Sequence, residues 1–255
     1  TQFAASKDGM RIAYDITGTG PALVLIHGAG KTRKDWHKTG YVKLLAEDFT
    51  VITLDARGSG ESDPAFEVSD FSIGKICDDV LTTVDACRAD RFAVWGYSFG
   101  GNVARYLGAW SDRPTSIAMI GVSFGPAVTP EFDRYIDEFI AKYGSVAQRA
   151  KADARKDAKR ASAVKGSLAA WVACFQAMRA WPTVEPSDVR CPAMVLAGTE
   201  NHGAAHWIEA NRDALHRAGV RVQIVPDLDH PAEFTHLERV YSPVRDFLIQ
   251  ATRQP

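Results

Sequence analysis

A serine flanked by glycines, in Gly96-Tyr97-Ser98-Phe99-Gly100-Gly101, follows an apolar, β-branched run at residues 91–95 and opens a segment with helical spacing. That strand, turn and helix setting is what a G-x-S-x-G nucleophile elbow requires. The turn holds its serine in a strained backbone conformation, and the flanking residues must be small so that strand and helix can approach closely. Ser98 Oγ would then stand at the edge of a sheet as a nucleophile for a carbonyl carbon. The alkoxide that forms in such an attack needs donors already aimed at it. The Phe99 N–H is one. The second is expected from the Ala29 N–H, in the small-residue loop His27-Gly28-Ala29-Gly30 that follows the run Ala22–Ile26. His27 itself reads as a structural residue bonded within that loop.

Serine needs a base. Of the seven histidines, His230 lies in a loop after a late strand, downstream of Ser98, in the chain order serine, acid, histidine. His202 and His206 are four apart, with no glutamate between them and no third ligand at zincin spacing, so no metal is expected. Neither is a cofactor. His37, His216 and His236 have no chemical context.

These residues must be positioned by a sheet. Short apolar runs at 10–17, Ala22–Ile26, Thr50–Leu54, 91–95, 116–122, 193–197 and 220–225 alternate with segments of helical spacing, which predicts a mostly parallel α/β architecture. Ile73, Ile76, Cys77, Val80, Leu81, Val84 and Cys87 follow the i, i+3, i+4, i+7 pattern of one helix face. Further helices are predicted at Phe99–Trp110, 204–218 and 232–250, with Pro243 interrupting the last. Residues 126–189 carry helical pattern only, bounded by Pro126, Pro130, Pro182 and Pro186, and read as a helical cap inserted into a core made of residues 1–125 and 190–255. Within the cap, residues 149–160 are locally basic and read as a solvated helix face.

Composition narrows the function. The 255 residues are 46% apolar and 24% charged, with 30 Lys+Arg against 31 Asp+Glu, so no global field draws nucleic acid or an anionic membrane. No run approaches the roughly 18 apolar residues that span a bilayer. No basic start followed by an apolar stretch marks a signal peptide. Cys77, Cys87, Cys174 and Cys191 lack metal-binding spacing, and Cys77 and Cys87 would lie roughly 15 Å apart on one helix, too far to bridge. Reduced thiols in a cytoplasmic protein are the expectation. The partner expected is a small molecule with an apolar portion, for which Trp36, Trp171, Phe175 and Trp181 are candidate pocket walls. Helix or cap packing is the competing role for each.

With these blocks in place, the chain resembles the α/β-hydrolase superfamily over essentially its whole length. The resemblance rests on the His27-Gly28 loop, the Asp55-Ala56-Arg57-Gly58-Ser59-Gly60-Glu61-Ser62 segment after Thr50–Leu54, and the elbow. It implies a mostly parallel sheet with helices on both faces, and hydrolysis of an ester, thioester, amide or lactone. It also implies that Asp55 and Arg57 shape a loop. Carbon-carbon bond hydrolysis and perhydrolysis on the same scaffold stay open.

One position departs from the pattern. In this superfamily the third triad member usually lies three residues beyond the glycine ending the strand before the histidine strand; here that glycine is Gly198 and the position holds Asn201. Asparagine cannot stabilise an imidazolium as a carboxylate does, and in a serine protease this exchange costs about 10⁴ in kcat. Three readings stay open: Glu200 supplies the carboxylate from a shifted loop, Asn201 stands where the natural protein has Asp, or Asn201 belongs to a slow catalyst or a low-turnover ligand-binding protein. Asp227 and Asp229 are further acid candidates.

Overall fold

The computed structural model describes residues 1–156 and 166–252. Eight strands form one sheet: β1 (Gln2–Ala5), β2 (Arg11–Thr17), β3 (Ala22–Ile26), β4 (Thr50–Leu54), β5 (Phe92–Tyr97), β6 (Pro114–Ile120), β7 (Ala193–Gly198) and β8 (Arg221–Val225). Their order is β1-β2-β4-β3-β5-β6-β7-β8. β1, β2 and β4 pair antiparallel, and every pair from β4 to β8 is parallel. The parallel strands need helical crossovers, and burial on both faces explains why they read as continuous apolar runs.

Successive side chains of a strand point to opposite faces. Leu23, Leu25, Val51, Ala93, Trp95, Met194 and Leu196 enter one buried cluster, while Val24, Ile26, Ile52, Val94, Ile117, Met119 and Val195 enter the other. The first cluster is closed by α1 (Arg33–Lys38), α2 (Tyr41–Leu45) and, at the chain's end, a helix over Leu237–Thr252. The second is closed by α3 (Ile73–Ala86) and α4 (Phe99–Trp110). Between β6 and β7 lie α5 (Pro130–Lys156) and α6 (Gly166–Met178), which pack on each other, and α6 also packs on the 3₁₀ turn Val68–Phe71. In that stretch an isolated bridge joins Gly125 to Val184. Of the basic run at 149–160, residues 149–156 form the end of α5, and 157–160 lie outside the described residues.

The rest of the chain contributes α7 (His202–Ala210), α8 (Arg212–Arg217), α9 (Ala232–Thr235) and α10 (Leu237–Thr252). Two expectations change here. The helix predicted over 204–218 is two helices that meet at Asn211, whose side chain turns back to the Trp207 carbonyl at 2.9 Å. Pro243 does not end the last helix: Val240, Val244, Phe247 and Leu248 are buried along it, so tertiary packing outweighs one missing N–H donor. Strand β1 and helices α1 and α2 are shorter than the windows in which periodicity can be read. Among the described residues, no helix is long and apolar enough to cross a membrane.

Candidate active site

The elbow is built by close contact. Ser98 caps α4 with φ 55° and ψ −115°, in the left-handed half of backbone space, and its N–H is held by the Ile120 carbonyl at 2.8 Å. A Cβ on Gly96 would lie 2.1 Å from the Gly100 carbonyl oxygen, and one on Gly100 would lie 2.0 Å from that of Ile26. These two glycines let α4 press onto β3 and β5, which lifts Ser98 above the C-terminal ends of the strands.

His230, in the loop between β8 and α9, brings Nε2 to 2.8 Å from Ser98 Oγ. Its Nδ1 lies 2.8 Å from Glu233 Oε2. A carboxylate only accepts, so Nδ1 carries the proton and Nε2 is left free to receive the serine proton. Tyr97 fixes the imidazole twice: its ring stacks on His230 at 5.1 Å, and its hydroxyl donates to the His230 carbonyl at 2.7 Å.

Glu233 was missed by the sequence reading, yet it carries a local signal. Asp229 Oδ1 accepts from the Ala232 N–H at 2.8 Å just ahead of α9, whose N-cap is Pro231, and the turn sets Glu233, three residues after His230, against the imidazole. The Glu233 side chain is fully buried, and each of its hydrogen bonds comes from a donor: Gly198 N–H at 2.8 Å, Asn201 Nδ2 at 2.9 and 3.0 Å, and His230. Gly121, at φ 76°, makes room, since a Cβ there would lie 2.4 Å from Glu233 Oε2 and 2.6 Å from His230 Nδ1.

The expected acid slot is therefore occupied differently. Glu200 points outward, with Oε1 3.4 Å from Thr199 Oγ1 and Oε2 3.9 Å from His202, and makes no bond to His230. Its own N–H is tied to the Leu228 carbonyl at 3.0 Å, which keeps the loop from shifting. Asn201 does reach the site: its Nδ2 lies 3.2 Å from His230 Nδ1, and it donates to both oxygens of Glu233 and to the Gly121 carbonyl at 3.1 Å. Those acceptors fix the amide orientation, because only the NH₂ end can face a carboxylate and a carbonyl. Asp227 and Asp229 are exposed on the loop and do not contact the imidazole.

Ala29 and Phe99 flank Ser98 on the same cavity. Among the described residues, no acceptor is bonded to either N–H. His27 is buried and tied on both ring nitrogens, to the Gly28 carbonyl at 2.8 Å and the Ala56 N–H at 3.0 Å. Burial pushes its pKa below the usual histidine value. Asp55 accepts from Arg33 and from the Glu61 N–H at 2.8 Å, and Arg57 grips both oxygens of Asp79 at 2.7 Å. These residues frame the loops and do not line the cavity.

That cavity is about 660 Å³. Phe175 lines it, with Phe124, Phe132, Tyr135 and Met178. The other three aromatic candidates do not. Trp36 is buried on the opposite face of the sheet, against Tyr41, Trp95 and Phe234. Trp171 and Trp181 pack behind Phe99, at 4.9 and 6.2 Å between ring centres, with Trp181 Nε1 bonded to the Phe71 carbonyl. Helical spacing marks a buried stripe and cannot tell a pocket wall from a core.

The four cysteines are free thiols, and burial pushes Cys87 up to about 11 and Cys191 to about 12. Among the described residues, no group of three or more His, Cys, Asp or Glu is placed to hold a metal ion.

The chain matches the family model of the alpha/beta hydrolase fold over residues 21–163, and it belongs to that family. A soluble epoxide hydrolase of Corynebacterium sp. (strain C12) is 35% identical over 113 residues, 44% of this chain and 38% of that protein. An uncharacterised protein of Mycobacterium tuberculosis (strain H37Rv) is 36% identical over 96 residues, 38% of this chain and 27% of that one. The chain thus matches less than half the length of these curated relatives. Among solved structures, the enol-lactonase from Burkholderia xenovorans LB400 aligns with a TM-score of 0.75 at 22% identity, over 97% of this chain and 100% of the other. An esterase from Thermogutta terrifontis aligns with a TM-score of 0.75 at 21% identity, over 98% of each chain. These two likenesses are likenesses of fold.

Proposed function

We propose that this protein is a serine hydrolase that cleaves a carboxylic ester or a related acyl bond through an acyl-enzyme on Ser98. The observation that carries this reading is the unbroken line Ser98 Oγ, His230 Nε2, His230 Nδ1 and Glu233 Oε2, with both hydrogen-bond separations at 2.8 Å. His230 takes the serine proton as Oγ attacks the carbonyl carbon, and the Ala29 and Phe99 N–H groups receive the oxyanion. His230 then passes the proton to the leaving oxygen. A water enters, gives its proton to His230, and releases the acid. Glu233 keeps the imidazole in the productive tautomer and stabilises the imidazolium.

The identity of the nucleophile bears on the bond cleaved. A serine that opened an epoxide would be left as an alkyl ether, which water does not release, whereas an acyl-serine is an ester and turns over. This favours the chemistry named for the esterase and the enol-lactonase over that named for the epoxide hydrolase. The low-turnover reading loses its motive as well, because it rested on the absence of a carboxylate beside His230. Asn201 then acts as a positioning residue for Glu233. The helices between β6 and β7 serve as a cap whose apolar side chains hold the acyl or alcohol portion.

The test is labelling by a serine-directed fluorophosphonate together with turnover of 4-nitrophenyl butyrate. Labelling abolished by Ser98→Ala, with measurable release of nitrophenol by the wild type, is expected. A folded wild-type protein that neither labels nor turns over would overturn the proposal.

A further inference from the structure

Besides His230, two basic side chains line the cavity, Lys31 and Arg105, and they are satisfied in opposite ways. Arg105 is closed off. Its Nη1 donates to the Ser123 and Gly125 carbonyls at 3.0 Å each, Tyr106 and Glu185 steady its charge, and Nε and Nη2 are buried. It anchors residues 123–125 and offers a ligand nothing. Lys31 is half-buried, and among the described residues its Nζ has no hydrogen-bond acceptor and no carboxylate in ion-pair range, yet Nζ itself is not buried. The Phe234 ring, 4.5 Å from Nζ, and the Tyr97 ring, at 5.9 Å, hold the ammonium by cation–π attraction. The rings steady the charge, and no oxygen accepts from its three N–H donors.

The cavity does not neutralise that charge. Glu131 is the one carboxylate among the lining residues, and its side chain is exposed, 3.9 Å from Arg134. Glu233 does not line the cavity and is held by Gly198, Asn201 and His230. Lys31 also stands at a defined side of the reacting atoms. Its N–H closes a turn onto the Gly28 carbonyl at 3.2 Å, with Gly30 at φ 74°, so Lys31 shares one turn with Ala29, the proposed oxyanion donor. The Tyr97 ring that it faces is in turn stacked on His230 at 5.1 Å. In the mechanism proposed above, His230 hands its proton to the leaving oxygen, so the alcohol portion departs on the imidazole side, where Lys31 stands. Phe124, Phe132, Phe175 and Met178 leave the acyl portion an apolar wall.

We propose that Lys31 is a specificity-determining residue that binds a carboxylate on the leaving portion of the substrate, so that the preferred substrate is an ester of an alcohol or phenol that itself carries a carboxylate. This inference rests on the serine hydrolase reading. The ammonium is already held in place by the two rings, and a carboxylate accepts from the donors they leave free in a charge-assisted hydrogen bond.

The experiment compares 3-carboxy-4-nitrophenyl butyrate with 4-nitrophenyl butyrate, which share the acyl group and the chromophore and differ in the charge on the leaving phenol. With each rate divided by that of hydroxide-catalysed hydrolysis, the wild-type kcat/KM should favour the carboxylate ester by about 10- to 100-fold. In Lys31→Gln the ratio should fall to near 1, and in Lys31→Arg most of it should be kept. A wild-type ratio near 1 would overturn the proposal. So would a ratio that Lys31→Gln leaves unchanged while both esters slow together, which would reduce Lys31 to a prop for Tyr97 and Phe234. Should Lys31→Gln not fold, calorimetric titration of Ser98→Ala with 3-(butyryloxy)benzoate and with 3-(butyryloxy)benzamide decides without it. Tighter binding of the anion supports the proposal and equal binding overturns it. That titration needs no turnover, so failure of the hydrolase reading shows separately, as absent labelling and absent release from both esters.

Discussion

The floor of the cavity, where the strands end, and its roof, made by α5 and α6, are built by different rules. On the floor each functional group is fixed by at least one directional bond: Ser98 by Ile120, His230 by Tyr97 and Glu233, and Glu233 by Gly198 and Asn201. On the roof Phe132, Tyr135, Phe139 and Phe175 touch stacked, edge to face or tilted, with ring centres 5.1 to 6.2 Å apart, and direction is set by shape alone. Displacing a floor group by a fraction of an ångström would break the proton path of the proposed mechanism. Displacing a roof ring changes a contact area. The floor should therefore govern kcat and the roof KM, and substitutions in the two regions should separate along that line.

The widest separation is expected at Glu233. Glu233→Gln keeps the shape but removes the charge, and its amide can present an NH₂ to His230 Nδ1 and stabilise the wrong tautomer. A fall in kcat of about 10⁴ is expected by analogy with the serine-protease exchange. Glu200→Gln, outside the hydrogen-bonded frame, should stay within about twofold of wild type. Equal losses in the two variants, measured on one nitrophenyl ester, would return the acid to the loop after β7.

Asn201 gives the next largest effect, with a sign that discriminates. If residue 201 were aspartate, its carboxylate would face the Glu233 oxygens at the 2.9 to 3.0 Å now spanned by Asn201 Nδ2, and two carboxylates this close cannot both ionise. Asn201→Asp should lower kcat by about 10- to 100-fold, through the lost hydrogen bond and the competition for one proton. A rise in kcat would mean that asparagine stands in for the acid.

The difference between floor and roof also explains what could be read from the sequence. Glycines at 96, 100 and 101 and the strand before them announce the elbow, because steric demand leaves few residue types possible. His230 follows from chain order. Glu233 was hidden because the search for an acid followed the usual slot after β7, while the turn into α9 places another carboxylate three residues after the histidine. The His-x-x-Glu spacing was legible; its priority over Glu200 depends on β7 and β8 bringing Gly198 against Leu228, where a Cβ would lie 2.0 Å from the Leu228 carbonyl oxygen. The roof was legible only as helix. Apolar periodicity found Trp171, Phe175 and Trp181 together, and the cavity takes one of the three, since which side of a buried stripe meets empty space is decided by elements remote in sequence.

A roof substitution sets the scale for shape alone. Phe132 lines the cavity and meets Phe175 at 5.6 Å, so Phe132→Ala removes apolar area that substrate and transition state contact equally. KM for an apolar ester should rise about 5- to 20-fold with kcat little changed. A fall in kcat with KM constant would show that the roof, too, positions reacting atoms.

The smallest effect separates holding the floor together from doing chemistry on it. His27 is buried with both ring nitrogens bonded, and burial depresses its pKa below the 6.5 of an unburied histidine. The unfolded chain binds that proton more readily, so ΔG of unfolding rises with pH in this range. His27 thus contributes fully above the unfolded value, and its contribution is lost as pH falls below about 6.5, by at most about 1.4 kcal/mol per pH unit. His27→Asn should be less stable at pH 7.5 but lose less on going to pH 5.0, as read from urea unfolding at both values. Parallel losses in wild type and variant would assign the acid sensitivity to other groups and leave the loop that carries Ala29 held chiefly by its backbone.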